Sequence, residues 1–182
     1  MTNRCRWVNL KNPLYVDYHD NEWGRVTHDE HQLIEMLLLE SMQAGLSWEC
    51  VLNKRENYEK AFDNFDIDKI VNYDDDKFNE LLNNSGIIRN KLKIKCIINN
   101  SKIIKNIISE YGSFDNYIWH FTNNKVITYK RVLTRSSLSD KISDDLKSRG
   151  MTFVGSVIIF SYLQAIGIIN SHDENCDFRN ID

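Results

Sequence analysis

Apolar residues recur at three- and four-residue spacing through most of this 182-residue chain and almost nowhere alternate. Such a pattern restricts the chain to helices that bury one stripe against other helices. Asp29–Ala44 sets Leu33, Met36, Leu37 and Glu40 on one side, and Gly45 stands where a C-terminal cap belongs. Ser47 can cap a second helix running through Val51, Leu52, Tyr58 and Phe62. Asp66 and Asp74–Asp76 are caps for two short helices, and the turn Asn83–Gly86 leads into a long one carrying Ile94 to Tyr111. Ser113 opens another helix, Ser139 caps one that ends at Gly150, and Val154–Ala165 is the last, stopped by Gly167. Lys125–Tyr129 is the only modest strand candidate. The expectation is an all-α fold of roughly seven to nine helices in a single domain spanning 1–182.

Seven Gly and one Pro leave few breakers, so collagen-like and Pro-rich disordered classes are excluded. The net charge of -3 announces neither a basic tail nor an acidic, solvating chain. Charge is nonetheless uneven. Glu56–Glu80 holds nine acids against three Lys, Ile87–Lys105 has six basic residues and no acid, and Lys125–Arg149 has seven basic residues against three acids. Each run alone reads as a solvated helix face; together the basic stretches could orient the protein on a phosphate backbone. The longest apolar stretches are interrupted by polar residues, so no membrane span is expected. No apolar run follows Arg4 and Arg6, so no secretory leader is expected. Cys5, Cys50, Cys96 and Cys176 show no close pairing and read as free thiols or metal ligands in a cytoplasmic protein.

Three constellations could carry chemistry. His172 and Cys176 lie four apart near one chain end, and Cys5 and His19 near the other could complete a Cys2His2 tetrahedron for zinc. Spacing by itself favours a surface His172 and a tail thiol, because thirteen residues separate Cys5 from His19. Asp20 and Glu22 meet only loosely the need of a catalytic zinc for a nearby base. Trp7, Tyr15, Tyr18, Trp23 and Trp48 crowd the first quarter of the chain, where aromatic faces could stack on a base or surround a cation. Glu40 sits in the apolar string Met36-Leu-Leu-Leu-Glu40 and needs either a ligand or an Arg partner, and the sequence leaves both open. Ser139–Gly155 reads as helix, short turn, helix, with Gly150 and Gly155 permitting a backbone that offers free amides to a DNA phosphate. Taken singly, such a segment is more often an ordinary helical hairpin.

Tyr15-Val-Asp-Tyr18-His19-Asp-Asn-Glu-Trp23-Gly, Leu39-Glu40-Ser-Met-Gln-Ala-Gly45-Leu46-Ser47-Trp48, Gly86-Ile-Ile-Arg89-Asn-Lys91, Phe153-Val-Gly155 and His172-x3-Cys176 resemble, in order and separation, the bacterial DNA-3-methyladenine glycosylase I family. The likeness runs over essentially the whole chain. It implies a helix-hairpin-helix DNA glycosylase fold with one structural zinc ion tying the N- and C-termini through Cys5, His19, His172 and Cys176. It further implies a base pocket at Glu40, Tyr15, Tyr18 and Trp48, with Trp7, Trp23 and Ser161 as neighbours. Ala44-Gly45-Leu46 would enter the minor groove, with Leu46 filling the gap left by a flipped nucleotide. The Gly150–Gly155 hairpin would anchor a phosphate. One departure is Ser171, which stands where the family usually carries Asp ahead of the zinc His.

The implied activity is hydrolysis of the N-glycosidic bond of 3-methyladenine in double-stranded DNA by a monomer in a bacterial cytoplasm, associated with the nucleoid when bound to DNA. Methylation at N3 makes the base cationic and a good leaving group, so stacking and charge could select it without a strong general acid. Glu40 would accept hydrogen bonds from the adenine edge. No Lys stands out as a Schiff-base nucleophile, so strand cleavage is not expected. A zinc-stabilised module that senses damage without cutting, and an enzyme whose aromatic cage binds a cationic metabolite, are the competing classes.

Overall fold

A buried helix organises the molecule. The computed structural model describes residues 2–129 and 132–179; Lys130 and Arg131 of the second basic stretch lie outside them. Helix α1 spans Pro13–Asn21 and α2 spans Glu30–Gln43. Asp29 caps α2 through the Gln32 amide, and every residue from Leu33 to Met42 is buried. Helices α7 (Lys91–Tyr111), α8 (Phe114–His120) and α10 (Ser156–Ala165) pack around it. The large side chains that meet there keep their polar tips satisfied. The Tyr162 hydroxyl donates to the Leu33 carbonyl at 3.0 Å, and the Trp119 indole donates to the Thr27 carbonyl at 3.0 Å.

Between α2 and α7 lie α3 (Trp48–Leu52), α4 (Arg55–Ala61), a 3-10 turn at Asp63–Phe65, α5 (Ile67–Ile70) and α6 (Asp75–Asn83). Asp66 and Asp74 cap α5 and α6 as expected. The single helix expected after Ser47 is instead two, broken at Lys54 (φ -110, ψ 1). The turn lets Arg55 reach Glu22 and Glu35.

Helix α9 spans Ser137–Ser148. Its N-cap is Ser136, and Ser139 is the reciprocal member of a capping box, so the expected cap stood three residues late. Helix α10 starts at Ser156, two residues after the expected Val154. Ten α-helices are present among the described residues, more than expected, because the helix after Ser47 is two and α1 is a helix the periodicity did not reveal. Pro13 at its first turn and the Asn12 side chain, which accepts from the Leu14 amide, start it. The strand candidate shrinks to β1 (Ile127–Thr128), which pairs in parallel with β2 (Ile169–Asn170). No described helix is long and apolar enough to cross a membrane.

Two sets of hydrogen bonds fasten the outlying segments. Buried Asn100 on α7 donates to the Thr152 carbonyl at 3.0 Å and accepts from its amide at 3.1 Å, holding the α9–α10 hairpin to the body. The chain ends meet where the Asn3 amide donates to Asp177 at 2.8 Å and the Asp177 amide returns to the Asn3 carbonyl at 3.0 Å.

Candidate active site and metal cluster

The end-to-end pairing brings Cys5, His19, His172 and Cys176 together, all four buried, with ligand atoms within 4.8 Å of one another. Cys5 Sγ lies 3.4 Å from His172 Nδ1, and Cys176 Sγ lies 3.5 Å from both His19 Nε2 and His172 Nδ1. Ligands about 2.3 Å (sulfur) and about 2.0–2.1 Å (nitrogen) from one tetrahedral ion stand about 3.6 Å apart, so the donor set fits such an ion. The reading of His172 as a surface residue and Cys176 as a tail thiol is therefore overturned.

The far side of His19 is held as metal-binding imidazoles usually are. Its Nδ1 meets Asp20 Oδ1 at 2.8 Å, and Asp20 in turn takes the Arg4 guanidinium at 2.6 Å. Asp20 is engaged with His19 and Arg4 rather than standing free as a base, and Glu22 is engaged with Arg55 at 2.6 Å. Burial pushes the Cys5 thiol up, with the neighbouring Cys176 adding to the shift, and lowers the His172 imidazole to about 4. Gly24 explains the glycine ending the first motif, because a Cβ there would lie 2.6 Å from His172 Nε2.

Aromatic rings connect the cluster to a neighbouring cleft. Trp7 stands edge-on to His19 at 5.3 Å and to Trp23 at 4.8 Å, and it also meets Tyr15 at 5.2 Å. Trp23 is buried against His172, with centroids 4.6 Å apart. Trp23 thus serves mainly as the wall between cluster and cleft.

The cleft encloses about 1180 Å³. It brings together Trp7, Tyr15, Tyr18, Glu40, Trp48 and Ser161, together with Trp23 and Ser171, from α1, α2, α3, α10 and both chain ends. Tyr18 and Trp48 face each other at 5.3 Å. Glu40 is only 2% exposed, and its Oε2 has no partner. The Trp48 indole N–H is likewise buried and unpartnered. Of the two readings left open for Glu40, the Arg-paired one belongs to Glu35 on the same helix, which takes Arg55 at 2.8 Å and 3.0 Å. Burial alone drives the Glu40 carboxyl well above the usual carboxylate range. Burial raises the Tyr15 and Tyr18 hydroxyls too, with Glu40 adding to each shift. A cavity that keeps an unpaired carboxyl among aromatic faces suits a flat, cationic, hydrogen-bond-donating ligand.

Two backbone features flank the cleft. Gly45 follows the end of α2 with φ +76, and Leu46 beyond it is 42% exposed. A Cβ at Gly45 would meet nothing within 4 Å, so the glycine is required by the left-handed turn alone. Gly150 (φ +95) closes α9, and Gly155 is the N-cap of α10 with no side-chain cap. A depression there is lined by Arg135, Asp140, Asp144, Lys147, Gly155 and Ser156, with Arg135 paired to Asp140 at 2.9 Å.

Sequence reading missed several residues of the cleft: Gln43, Tyr129, Leu133 and Gln164. Gln164 lies one turn beyond Ser161 on α10 and was findable from that spacing; Tyr129 directly follows β1, whose pairing with β2 no sequence pattern announced.

The methyladenine glycosylase family profile matches residues 7–180. The chain is 40% identical over 178 residues to DNA-3-methyladenine glycosylase 1 of Escherichia coli (strain K12), with 95% of each chain covered. It resembles in fold 3-methyladenine DNA glycosylase I from Staphylococcus aureus, solved for its recognition of 3-methyladenine, at 32% identity and a TM-score of 0.94, covering 100% of this chain and 98% of that one. A 3-methyladenine DNA glycosylase I in complex with 3-methyladenine matches at 31% identity and a TM-score of 0.93, with 99% of both chains covered.

Proposed function

The chain belongs to the methyladenine glycosylase family, and we propose that its aromatic cleft is where a 3-methyladenine base, turned out of duplex DNA, is cut from its sugar. The activity itself is base-excision repair: hydrolysis of the N-glycosidic bond of 3-methyladenine in alkylated DNA, yielding free base and an abasic site. The observation that carries the assignment of the cleft is Glu40, buried among aromatic rings with one oxygen unpartnered.

Electrostatics drives the chemistry. The N3-methylated base is cationic in DNA, so breaking the C1′–N9 bond leaves both bonding electrons on N9 and releases a neutral base. Positive charge moves to the sugar, water adds to C1′, and the water's proton passes to solvent. Glu40, held neutral by burial in the free protein, supplies the acceptor for the exocyclic amino group, and the cationic ring favours its ionised form, so that the pair selects the methylated base over adenine. Trp48, Tyr15 and Tyr18 stack against and enclose the ring, with Trp7, Trp23 and Ser161 bounding the space. The cleft exceeds the few hundred to about 1,000 Å³ usual for a small ligand, which leaves room for the attached sugar and phosphate. Of the other carboxylates that line the cleft, Asp173 takes the Arg6 amide and guanidinium and Glu174 is exposed to solvent, while Asp20 and Glu22 behind the wall are engaged with Arg4 and His19 and with Arg55. Selectivity is therefore assigned to recognition and departure of the cationic base, and no residue is assigned as a general base. With no lysine assigned as nucleophile, the reaction stops at the abasic site.

A zinc ion held by Cys5, His19, His172 and Cys176 would have its shell closed by four protein ligands and would act as a structural tie between the chain ends. Leu46 fills the gap left in the duplex, and the Gly150–Gly155 hairpin holds a backbone phosphate on the free amides of α10. We assign the protein as a cytoplasmic monomer. Chromatography of bases released from methylated duplex DNA, with Glu40→Ala in parallel, tests this reading. Release by the wild type that falls in the variant supports it; equal release by both removes Glu40 from the pocket chemistry.

A further inference from the structure

Lys93 is the third residue of α7, only 6% exposed, and its Nζ donates to the carbonyls of Met42 at 2.6 Å and Ala44 at 2.8 Å. Those carbonyls close α2, the helix that carries Glu40, just before the Gly45–Leu46 turn. The location is unfavourable for lysine on two counts. Burial disfavours its charge, and an ammonium in the first turn of α7 sits at the positive end of its own helix dipole. Among the described residues it meets carbonyls and not a carboxylate. Its gain comes entirely from α2, whose last carbonyls lack intrahelical donors and carry the negative end of that helix dipole. The Asn90 side chain accepts from the Leu92 and Lys93 amides, so the base of the strut is itself fixed. At the other end, the Leu46 amide donates to the Gln43 carbonyl at 2.7 Å, and Ser47 caps α3, which begins with Trp48.

We propose that Lys93 is a positioning residue for DNA engagement, its ammonium bracing the Ala44–Leu46 turn in the shape that presents Leu46 to the duplex. The proposal rests on the reading of Leu46 as the residue that fills the DNA gap. It separates Lys93 from the exposed lysines of α7: this side chain points into the protein, braces backbone, and does not touch phosphate.

The test measures Lys93→Met, Lys93→Arg and Leu46→Ala against two probes, free 3-methyladenine and a duplex bearing a tetrahydrofuran abasic analogue. Lys93→Met is expected to bind the free base within two-fold of the wild type and the duplex at least ten-fold more weakly. The salt dependence of duplex binding stays unchanged, and Lys93→Arg, which returns a cation to the carbonyls, recovers duplex affinity. Leu46→Ala is expected to weaken duplex binding alone. A folded Lys93→Met with wild-type duplex affinity, beside a weakened Leu46→Ala, overturns the role of Lys93. Wild-type duplex affinity in Leu46→Ala overturns the wedge reading and the proposal with it. A salt slope lower by about one identifies a direct phosphate contact instead. Equal losses for both probes reduce Lys93 to a general support of the fold, which Lys93→Arg checks in a second background.

Discussion

Replacing Glu40 with Gln should stabilise the free protein while damaging the enzyme, and the stabilisation should grow with pH. Glu40 is 2% exposed, its Oε2 is unpartnered, and burial holds its carboxyl well above the usual range. In the unfolded chain it titrates as an ordinary glutamate. Between the two values the folded protein keeps a proton that the unfolded chain releases. The stability contributed by neutral Glu40 is therefore complete below the ordinary carboxylate pKa and is lost as pH rises toward the folded value. The loss amounts to about 1.4 kcal/mol per pH unit. Gln has the same shape and no proton to lose, so its melting temperature should gain on the wild type by about 3–6 °C per pH unit above pH 5 in a protein of this size. Other carboxylates cancel, because variant and wild type are compared at each pH by calorimetry. In base release, loss of a hydrogen bond to a charged group costs about 1.5–3 kcal/mol, a roughly ten- to hundred-fold fall in kcat/KM on 3-methyladenine. A melting difference that stays flat from pH 5 to 7.5 would mean that Glu40 is already ionised and paired in the free protein, and the argument for a carboxyl kept neutral and unpaired until the cationic base enters would fall.

Metal removal should loosen the chain ends. By the chain-entropy relation for cross-links, a tie spanning Cys5 to Cys176 contributes about 5 kcal/mol, so chelation or Cys176→Ser should lower the melting temperature by roughly 10–20 °C. Calorimetry alongside metal analysis checks this, and a chelator-insensitive melt would remove the metal from the account. Arg55→Met leaves Glu35 buried without its guanidinium and should cost about 3–5 kcal/mol in urea unfolding. Adding Glu35→Gln should return part of that loss, whereas an unchanged midpoint in Arg55→Met would show the pair to be solvated.

Most helices were legible because their caps and apolar stripes agree. Asp29, Asp66, Asp74 and Ser113 each cap the helix that the periodicity announced. Helix α1 escaped because its signal lies in Asn12 and Pro13, while its sequence, Pro-Leu-Tyr-Val-Asp-Tyr-His-Asp-Asn, carries no clean apolar stripe. Its residues answer to two different neighbours: Tyr15 and Tyr18 face the cleft, whereas His19 joins the Cys5–His172–Cys176 cluster. Contacts between distant backbone and side chain were hidden for a different reason. Lys93 reaches carbonyls 49 and 51 residues away, and Asn100 reaches Thr152 52 residues away. A carbonyl leaves no mark in the amino-acid sequence.

Glu35 and Glu40 show where sequence reasoning ends and why. Both lie on α2, five residues apart, and both are buried, so neither hydropathy nor helix position distinguishes them. What divides them is the break at Lys54, which turns α4 so that Arg55 meets Glu35 and leaves Glu40 facing the cleft. The buried ion pair supports the helix; the unpaired acid is retained despite its desolvation cost. Such a cost is tolerated where a ligand removes it. The interruption of one expected helix thus separates an Arg-paired glutamate from an unpaired one, and the same fold feature that sequence periodicity missed is the one that leaves the cleft a carboxyl without a partner.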